Sequence, residues 1–396
     1  MIAVEEALAL VLENSFPLKE SEILPINQCI NRNLAKAVKA PIDLPSFRLS
    51  SVDGYALCLH QSNTYSIVDE VKAGDAANPS LKIGECVRIF TGAVVPDNAD
   101  SVIMQEKTIR NQDTVTIEAP VNKGQNIRLV GSQVKKGDFP LEKGQVLQAS
   151  GLAFLKSLGI DEVEVVRSPK VTIVITGNEL ITSSEKLSRG KIYESNSILL
   201  QAALLNQGIE TKLISFTEDS LKETISNLKK AFFNSDIVLV SGGISVGDYD
   251  FVKQALKELE VKEIFYKVRQ RPGKPLFFGK KDRVFIFALP GNPASTLSCF
   301  YVYVLPLINR LKGGKSDGLI RLSIPIEHDF KSDEPRALFL KATVQNKTVR
   351  ILDRQHSSML VSFAMSNALV YIPPQGILLK KGSLVETLLL PNSILI

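Results

Sequence analysis

Cysteine and histidine are scarce in this chain of 396 residues. Its four cysteines, Cys29, Cys58, Cys86 and Cys299, form no C-x-x-C pair, and its three histidines, His60, His328 and His356, are equally scattered. That spacing argues against a zinc site and against a disulfide framework, and reads as separate buried thiols in a reducing compartment. A large excess of charge is also lacking. The net charge is +5, with Lys and Arg interleaved among Asp and Glu, so composition gives no nucleic-acid partner. No apolar run approaches the ~18 residues of a membrane span. The N-terminal stretch MIAVEEALALVLENSF has acids where a signal peptide has bases, and it reads as an amphipathic helix. A cytoplasmic protein is expected, with no membrane partner.

Length and apolar content point to several domains. Hydrophobic residues make up 44% and charged residues 22% of the chain, an ordinary globular balance on a length that suggests two to four cores. The texture changes along the chain. Residues 1–38 read as one or two helices and, with the turn-rich return at 137–168, as a small linker domain. Residues 39–136 hold short β-like pieces such as YSIVDEV and CVRIFTG, separated by Gly, Pro, Asn and Asp, which suggests a β-rich second domain. From 169 to 316 buried strands alternate with helices, the pattern of a doubly wound, mostly parallel α/β sheet. Within it Leu221, Ile225, Leu228 and Phe232 fall on one helix face, and Ser220 and Glu223 have capping-box spacing. Residues 317–396 return to short strands, as in a β-barrel or sandwich.

In an open α/β sheet, ligands bind beyond the carboxyl ends of the strands. VTIVIT is followed by Gly177, Asn178 and Glu179. DIVLV is followed by SGGISVGDYD, in which Ser241, Gly242, Gly243, Ser245 and Gly247 precede Asp248 and Asp250. RVFIFAL is followed by Pro290, Gly291, Asn292 and Pro293, and the stretch Arg269–Lys274 separates two further strands. All four loops are expected on one rim. Glycines let backbone N–H groups approach phosphate oxygens. Asn292 as N-cap with Pro293 as first helical residue starts a helix whose N-terminus favours an anion. Lys267, Arg269, Arg271 and Lys274 give positive charge. Glu179, Asp248 and Asp250 give the oxygen ligands that, with phosphates, hold Mg²⁺. Each residue alone has an ordinary reading; Asp219, for example, sits where a helix-dipole partner would. Together the loops read as a site for a phosphorylated ligand with a divalent cation.

The stretches TGNEL, SGGISVGDYD, RPGKP and LPGNPAS resemble the signatures of the molybdopterin molybdenumtransferases, the family of bacterial MoeA and the gephyrin E domain. The likeness extends to SSVDGYA (Ser50–Ala56), RIFTGAVVP (Arg88–Pro96), GQNIR (Gly124–Arg128), EPRALFLKA and QHSSMLVSFAMSNALVYIP. It implies insertion of molybdate into adenylylated molybdopterin with release of AMP, and Mg²⁺ as the working cation. It implies a molybdopterin-binding α/β domain, a C-terminal β-barrel, and a homodimer. The cleft would lie between the α/β domain of one subunit and the second and fourth domains of the other. An upstream molybdopterin adenylyltransferase would supply the substrate. Matched residue by residue, catalytic roles fall on Asp53, Thr91, Glu179, Asp250, Lys267, Arg271 and Lys274, and metal ligation on Glu179, Asp219 and Asp250. Binding roles fall on the Gly177, Ser241–Gly247 and Pro290–Pro293 turns and on Arg128, Arg336 and Ser357.

Three features depart from the family pattern. Asn178 stands where an acid is usual, and is expected to orient rather than coordinate. Ser132 and Gln133 replace two acids, so a metal or oxyanion role is not expected at Gln133. Arg271 replaces a common Lys, keeping charge but changing geometry. Two other functions compete: a scaffold, since the gephyrin E domain also binds proteins, and a stand-alone adenylyltransferase or pyrophosphatase sharing only the α/β domain. The β-rich regions on both sides of that domain argue against the latter.

Overall fold

The run Val171–Thr176 is buried at every position, as expected of a strand covered on both faces. The structure, a computed structural model, describes residues 1–217, 220–244, 251–314 and 318–391. In it this strand lies inside a six-stranded sheet of order 211–217, 171–176, 237–241, 284–289, 277–281, 262–266. The first four strands are mutually parallel, and 277–281 runs antiparallel to both neighbours. Alternate side chains leave opposite faces of a strand, and here they enter separate cores. Ile173, Ile175, Leu239 and Phe287 pack with helix α3 (Asn196–Leu205) and the 293–311 helix. Val174, Val238, Val240 and Ile286 pack with helices α4 (Leu221–Phe232) and α5 (Phe251–Glu258). The sheet is thus doubly wound. Ser220 caps α4 as its spacing predicts, accepting from the Glu223 amide at 3.3 Å. The 293–311 helix carries a π-helical segment at Phe300–Val304.

The N-terminal expectation of one or two helices holds, but it omits a strand. Residues 1–38 contain one α-helix, α1 (Val4–Glu13), and then a strand, Ser21–Pro25, antiparallel to Glu162–Val166. The partner strand has the alternation that marks a half-buried strand, but 21–25 has none; the pairing comes from a contact far along the chain. Cys29, Leu34, Leu141, Leu155 and Val165 form the shared core of these segments and of helix α2 (Ala149–Ser157).

The 54–57, 64–71, 85–89, 101–104, 108–111 and 114–117 strands make a separate six-stranded sheet. Its apolar clusters draw only on residues 52–127. At the other end of the chain, strands 321–325, 384–389, 368–372, 337–345 and 348–351 pair in that order, and a parallel bridge between Ile326 and Val349 closes the ring. This is the expected barrel. Its long Ala337–Gln345 strand also pairs with Gln270–Arg271 of the α/β region, which ties the cationic loop to the barrel wall.

The entry to the α/β sheet is clamped by Asp236. Its carboxylate accepts both Arg167 guanidinium nitrogens, at 2.6 and 2.9 Å, and the Lys170 amide at 2.7 Å. Burial works against the ionised form, but the Arg167 and Lys170 contacts outweigh it and hold the carboxyl below its usual range. A depressed acid contributes stability that is present above its unfolded pKa and is lost as pH falls through the folded one. Asp236→Asn should therefore destabilise the chain by about 2–3 kcal/mol near neutral pH. The gap in melting temperature from wild type should close below about pH 4; a pH-independent gap would contradict the clamp.

Candidate active site

Three of the four predicted loops meet in one cavity of about 520 Å³ beyond the carboxyl ends of the parallel strands. It is lined by Thr176, Gly177, Glu179, Ser241, Gly242, Gly243, Pro290, Gly291, Asn292 and Pro293, with Glu194, Asn196 and Ser358 among the others. Gly242 is required there: its φ is +96°, and a Cβ would lie 2.4 Å from the Thr176 carbonyl oxygen. Asn196 braces the rim, donating to Ser241 Oγ at 2.9 Å and to the Gly291 carbonyl at 2.7 Å. Its Oδ1 and the Thr176 hydroxyl are buried with no hydrogen-bond partner, so two residues of the cavity wall carry a polar oxygen unsatisfied by the protein.

The Arg269–Lys274 loop touches this cavity only through the following Pro275 and lines a second one, of about 220 Å³. Arg271, Lys274, Arg336, His356 and Ser357 surround this smaller space, and Pro275, Pro290 and Asn292 belong to both walls. Asn292 begins its helix but makes no side-chain cap. It holds the N-cap position as expected, with Pro293 as first helical residue, while its amide donates to Ser357 Oγ at 3.2 Å and joins the barrel loop to the α/β domain.

Glu334 organises the cations. It accepts Arg336 Nε at 2.8 Å and Nη2 at 3.1 Å, and Arg271 Nη1 at 3.2 Å. The Arg336 contact, with Arg271 behind it, lowers the Glu334 pKa, and the same carboxylate raises that of Arg336. Lys267 lines neither cavity; its ammonium sits 4.7 Å over the Tyr266 ring. Asp219, Ser245, Gly247, Asp248 and Asp250 lie outside the described residues.

Asp53 and Thr91 form a separate polar pair. The Thr91 amide and hydroxyl each donate to Asp53 Oδ1 at 2.8 Å and hold that carboxyl below its usual range. Arg128 is exposed in the same corner, on a strand paired with Leu49–Ser50. Among the described residues, no hydrogen bond or ion pair links residues 46–130 to the α/β domain.

This layout can be set beside known proteins. The description "MoeA N-terminal region (domain I and II)" matches residues 2–159, "Probable molybdopterin binding domain" matches 172–310, and "MoeA C-terminal region (domain IV)" matches 324–390. The molybdopterin molybdenumtransferase of Staphylococcus epidermidis RP62A is 30% identical, covering 98% of this chain and 95% of that protein. This chain belongs to the molybdopterin molybdenumtransferase family. The Staphylococcus aureus Mu50 member is 31% identical with the same coverage. The solved structure of the molybdopterin biosynthesis moeA protein from Pyrococcus horikoshii OT3 superposes with a TM-score of 0.85 at 30% identity, covering 98% of this chain and all of that one.

One expectation drawn from the family changes. The fourth domain was expected to serve the α/β domain of the other subunit, but here Arg336, Ser357 and Ser358 line cavities with α/β residues of their own chain. Sequence reasoning also missed several supporting residues. Lys341, 1% exposed, donates to the Arg354, His356 and Met359 carbonyls at 3.1–3.2 Å, and burial brings its pKa down to about 8. A lysine inside the apolar run ALFLKATV was the available signal. Thr176, Asn196 and Gln270 had none, because each reads as ordinary strand-end or loop chemistry.

Among the described residues, no cluster of three His, Cys, Asp or Glu could hold a metal ion. Among the described residues, the buried side-chain atoms without a partner in the wall of the larger cavity are both oxygens, Thr176 Oγ1 and Asn196 Oδ1, and the exposed Glu179 carboxylate lines the same cavity. A hard cation such as Mg²⁺ takes such a donor set.

Proposed function

We propose that this chain inserts molybdate into adenylylated molybdopterin and releases AMP. The observation that carries the reading is the pair of cavities with a shared wall, one oxygen-lined and glycine-rich, the other cationic. The larger suits the phosphorylated pterin, since its glycine turns bring backbone amides close to phosphate oxygens. The smaller suits a tetrahedral oxyanion. Arg271, Lys274 and Arg336 with the Glu334 carboxylate leave a formal charge of +2 beside it, which matches a dianion.

Both reactants are anionic and repel each other. Arg271, Lys274 and Arg336 would offset that repulsion and hold the oxyanion at the shared wall, so that catalysis is mainly positioning and electrostatics. Glu179, with Asp219 and Asp250, would hold Mg²⁺, which when bound supplies charge neutralisation at the phosphoanhydride. No protein nucleophile is required.

The same reading includes a homodimer in which Asp53, Thr91 and Arg128 of one subunit complete the site of the other. Two exposed apolar patches support it. Phe47 (61% exposed), Leu129 (60%) and Val130 (45%) flank the Asp53 corner, and α3 presents Ile198 and Leu205, each 64% exposed, on one helix face. Ile198→Glu with Leu205→Glu should raise the dimer dissociation constant at least about 10²-fold, the loss expected from burying two aliphatic side chains. Analytical ultracentrifugation would show this, and an unchanged dimer would exclude the α3 face. The four free thiols suit the cytoplasm, and an upstream adenylyltransferase would deliver the substrate. Among the described residues, no helix is long and apolar enough to cross a membrane.

The direct test supplies adenylylated molybdopterin, molybdate and Mg²⁺, and follows AMP and pterin-bound molybdenum. AMP release that ignores molybdate would sink the reading. Pyrophosphate release from ATP and molybdopterin would favour an adenylyltransferase instead.

A further inference from the structure

Gln270 is fully buried directly beneath the cationic loop, where a lone polar side chain is costly unless satisfied. Its side chain spends both ends. Nε2 donates to the Pro272 carbonyl at 3.1 Å and the Gly273 carbonyl at 3.2 Å, and Oε1 accepts from the Tyr303 hydroxyl. Tyr303 is itself fully buried and belongs to the π-helical segment of the 293–311 helix. The loop has no slack at this point. Gly273 has φ +86°, and a Cβ there would lie 2.4 Å from Cys299 Sγ and 2.9 Å from Gln270 Nε2. Gln270 therefore grips the two central residues of the loop by their main chain, while Arg271 and Lys274 on either side are exposed and line the smaller cavity.

We infer that Gln270 is a positioning residue for oxyanion binding: by holding the Pro272 and Gly273 carbonyls it sets where Arg271 and Lys274 present their charges. The inference rests on the reading of the smaller cavity as the oxyanion site. The Pro272 and Gly273 carbonyls both accept from the Gln270 NH₂ end and hold it toward the loop without need of the Tyr303 hydroxyl. A residue at 270 with similar bulk but no donors would keep the packing and release the loop.

The test measures molybdate binding to the full chain by equilibrium dialysis, together with AMP release over a molybdate titration. Gln270→Leu should weaken molybdate binding and raise the half-saturating molybdate concentration about tenfold, as loss of one to two hydrogen bonds implies. The rate at saturating molybdate should stay within about twofold. Gln270 lies in the wall of the smaller cavity but is fully buried with its Nε2 committed to the Pro272 and Gly273 carbonyls, so its loss moves the charges rather than a group on the reacting atoms. Tyr303→Phe is the control for a merely structural role. It removes a buried hydrogen bond and should lower the melting temperature, yet leave molybdate binding within about twofold, because the grip on the carbonyls remains. If Gln270→Leu does not fold, Gln270→Met fills the space with a more adaptable side chain and should give the same shift. Unchanged molybdate binding in the folded variant would overturn the inference, as would equal shifts in Gln270→Leu and Tyr303→Phe. Lys274→Ala and Arg336→Ala separate the two levels. If they weaken molybdate binding and the Gln270 variants do not, only the positioning role falls. If they too leave it unchanged, the oxyanion reading falls and the positioning role with it.

Discussion

Refolding Asp53→Ala together with Glu179→Ala should restore about one quarter of wild-type activity, from two homodimers that are each nearly inactive. Asp53 is exposed and its partners are the Thr91 amide and hydroxyl, so its removal should spare the fold. Glu179 is exposed on the rim of the larger cavity, and its loss should also be local. Each single variant is expected to lose roughly 10²–10³-fold in rate, the usual effect of deleting one preplaced electrostatic group. In the structure the two residues belong to regions with separate cores. If one subunit's Asp53 serves the other's cavity, a mixed dimer carries both lesions in one site and none in the other. Random pairing makes about half the dimers mixed, and each has one intact site of two, hence the quarter. Mixed dimers detected by native mass spectrometry without recovered activity would return Asp53 to an ordinary turn residue.

The second large effect should come from Arg336. Arg336→Ala is expected to raise the half-saturating molybdate concentration about 10²-fold, and Arg271→Ala about tenfold, with Arg271→Lys smaller still. The order follows from Glu334. Arg336 makes two of its three contacts from the arginines, and Arg271 makes the third from a half-exposed position. Without Arg336, the carboxylate would have Arg271 as its sole arginine partner and would draw it from the cavity, so one substitution removes most of two charges. The measurement is a molybdate titration of AMP release at fixed adenylylated molybdopterin. Equal effects of Arg271→Ala and Arg271→Lys would mean that charge at this position is irrelevant. No effect from either arginine would place the oxyanion elsewhere.

Much of this molecule is legible in its sequence. Strands such as Val171–Thr176 are made of apolar and β-branched residues and carry Gly or Pro at their carboxyl ends, so both the sheet and the side on which its loops gather follow from local pattern. The Ser220 cap and the apolar face of α4 are likewise short-range, because three or four residues of chain specify them. The family signatures were legible for the same reason: TGNEL and LPGNPAS are continuous stretches whose backbone must turn in one way.

What local pattern could not settle was pairing across sequence distance. Ser21–Pro25 became a strand because Glu162–Val166 lay beside it, and the side chain of the N-cap residue Asn292 bonds Ser357, 65 residues on, rather than its own helix. Arg271 looked like a free cation, yet it shares Glu334 with Arg336 through a strand that joins the loop to the barrel. Residue types and their spacing along the chain determined which chemistry is present: glycine turns, carboxylates and a cluster of bases. Tertiary structure alone divided that chemistry between two cavities, buried Gln270 and Lys341 beneath the loops they hold, and left Asp53 apart from both. A hydrogen bond or ion pair depends on distance in space, which the chain's order does not encode when its partners lie on different domains.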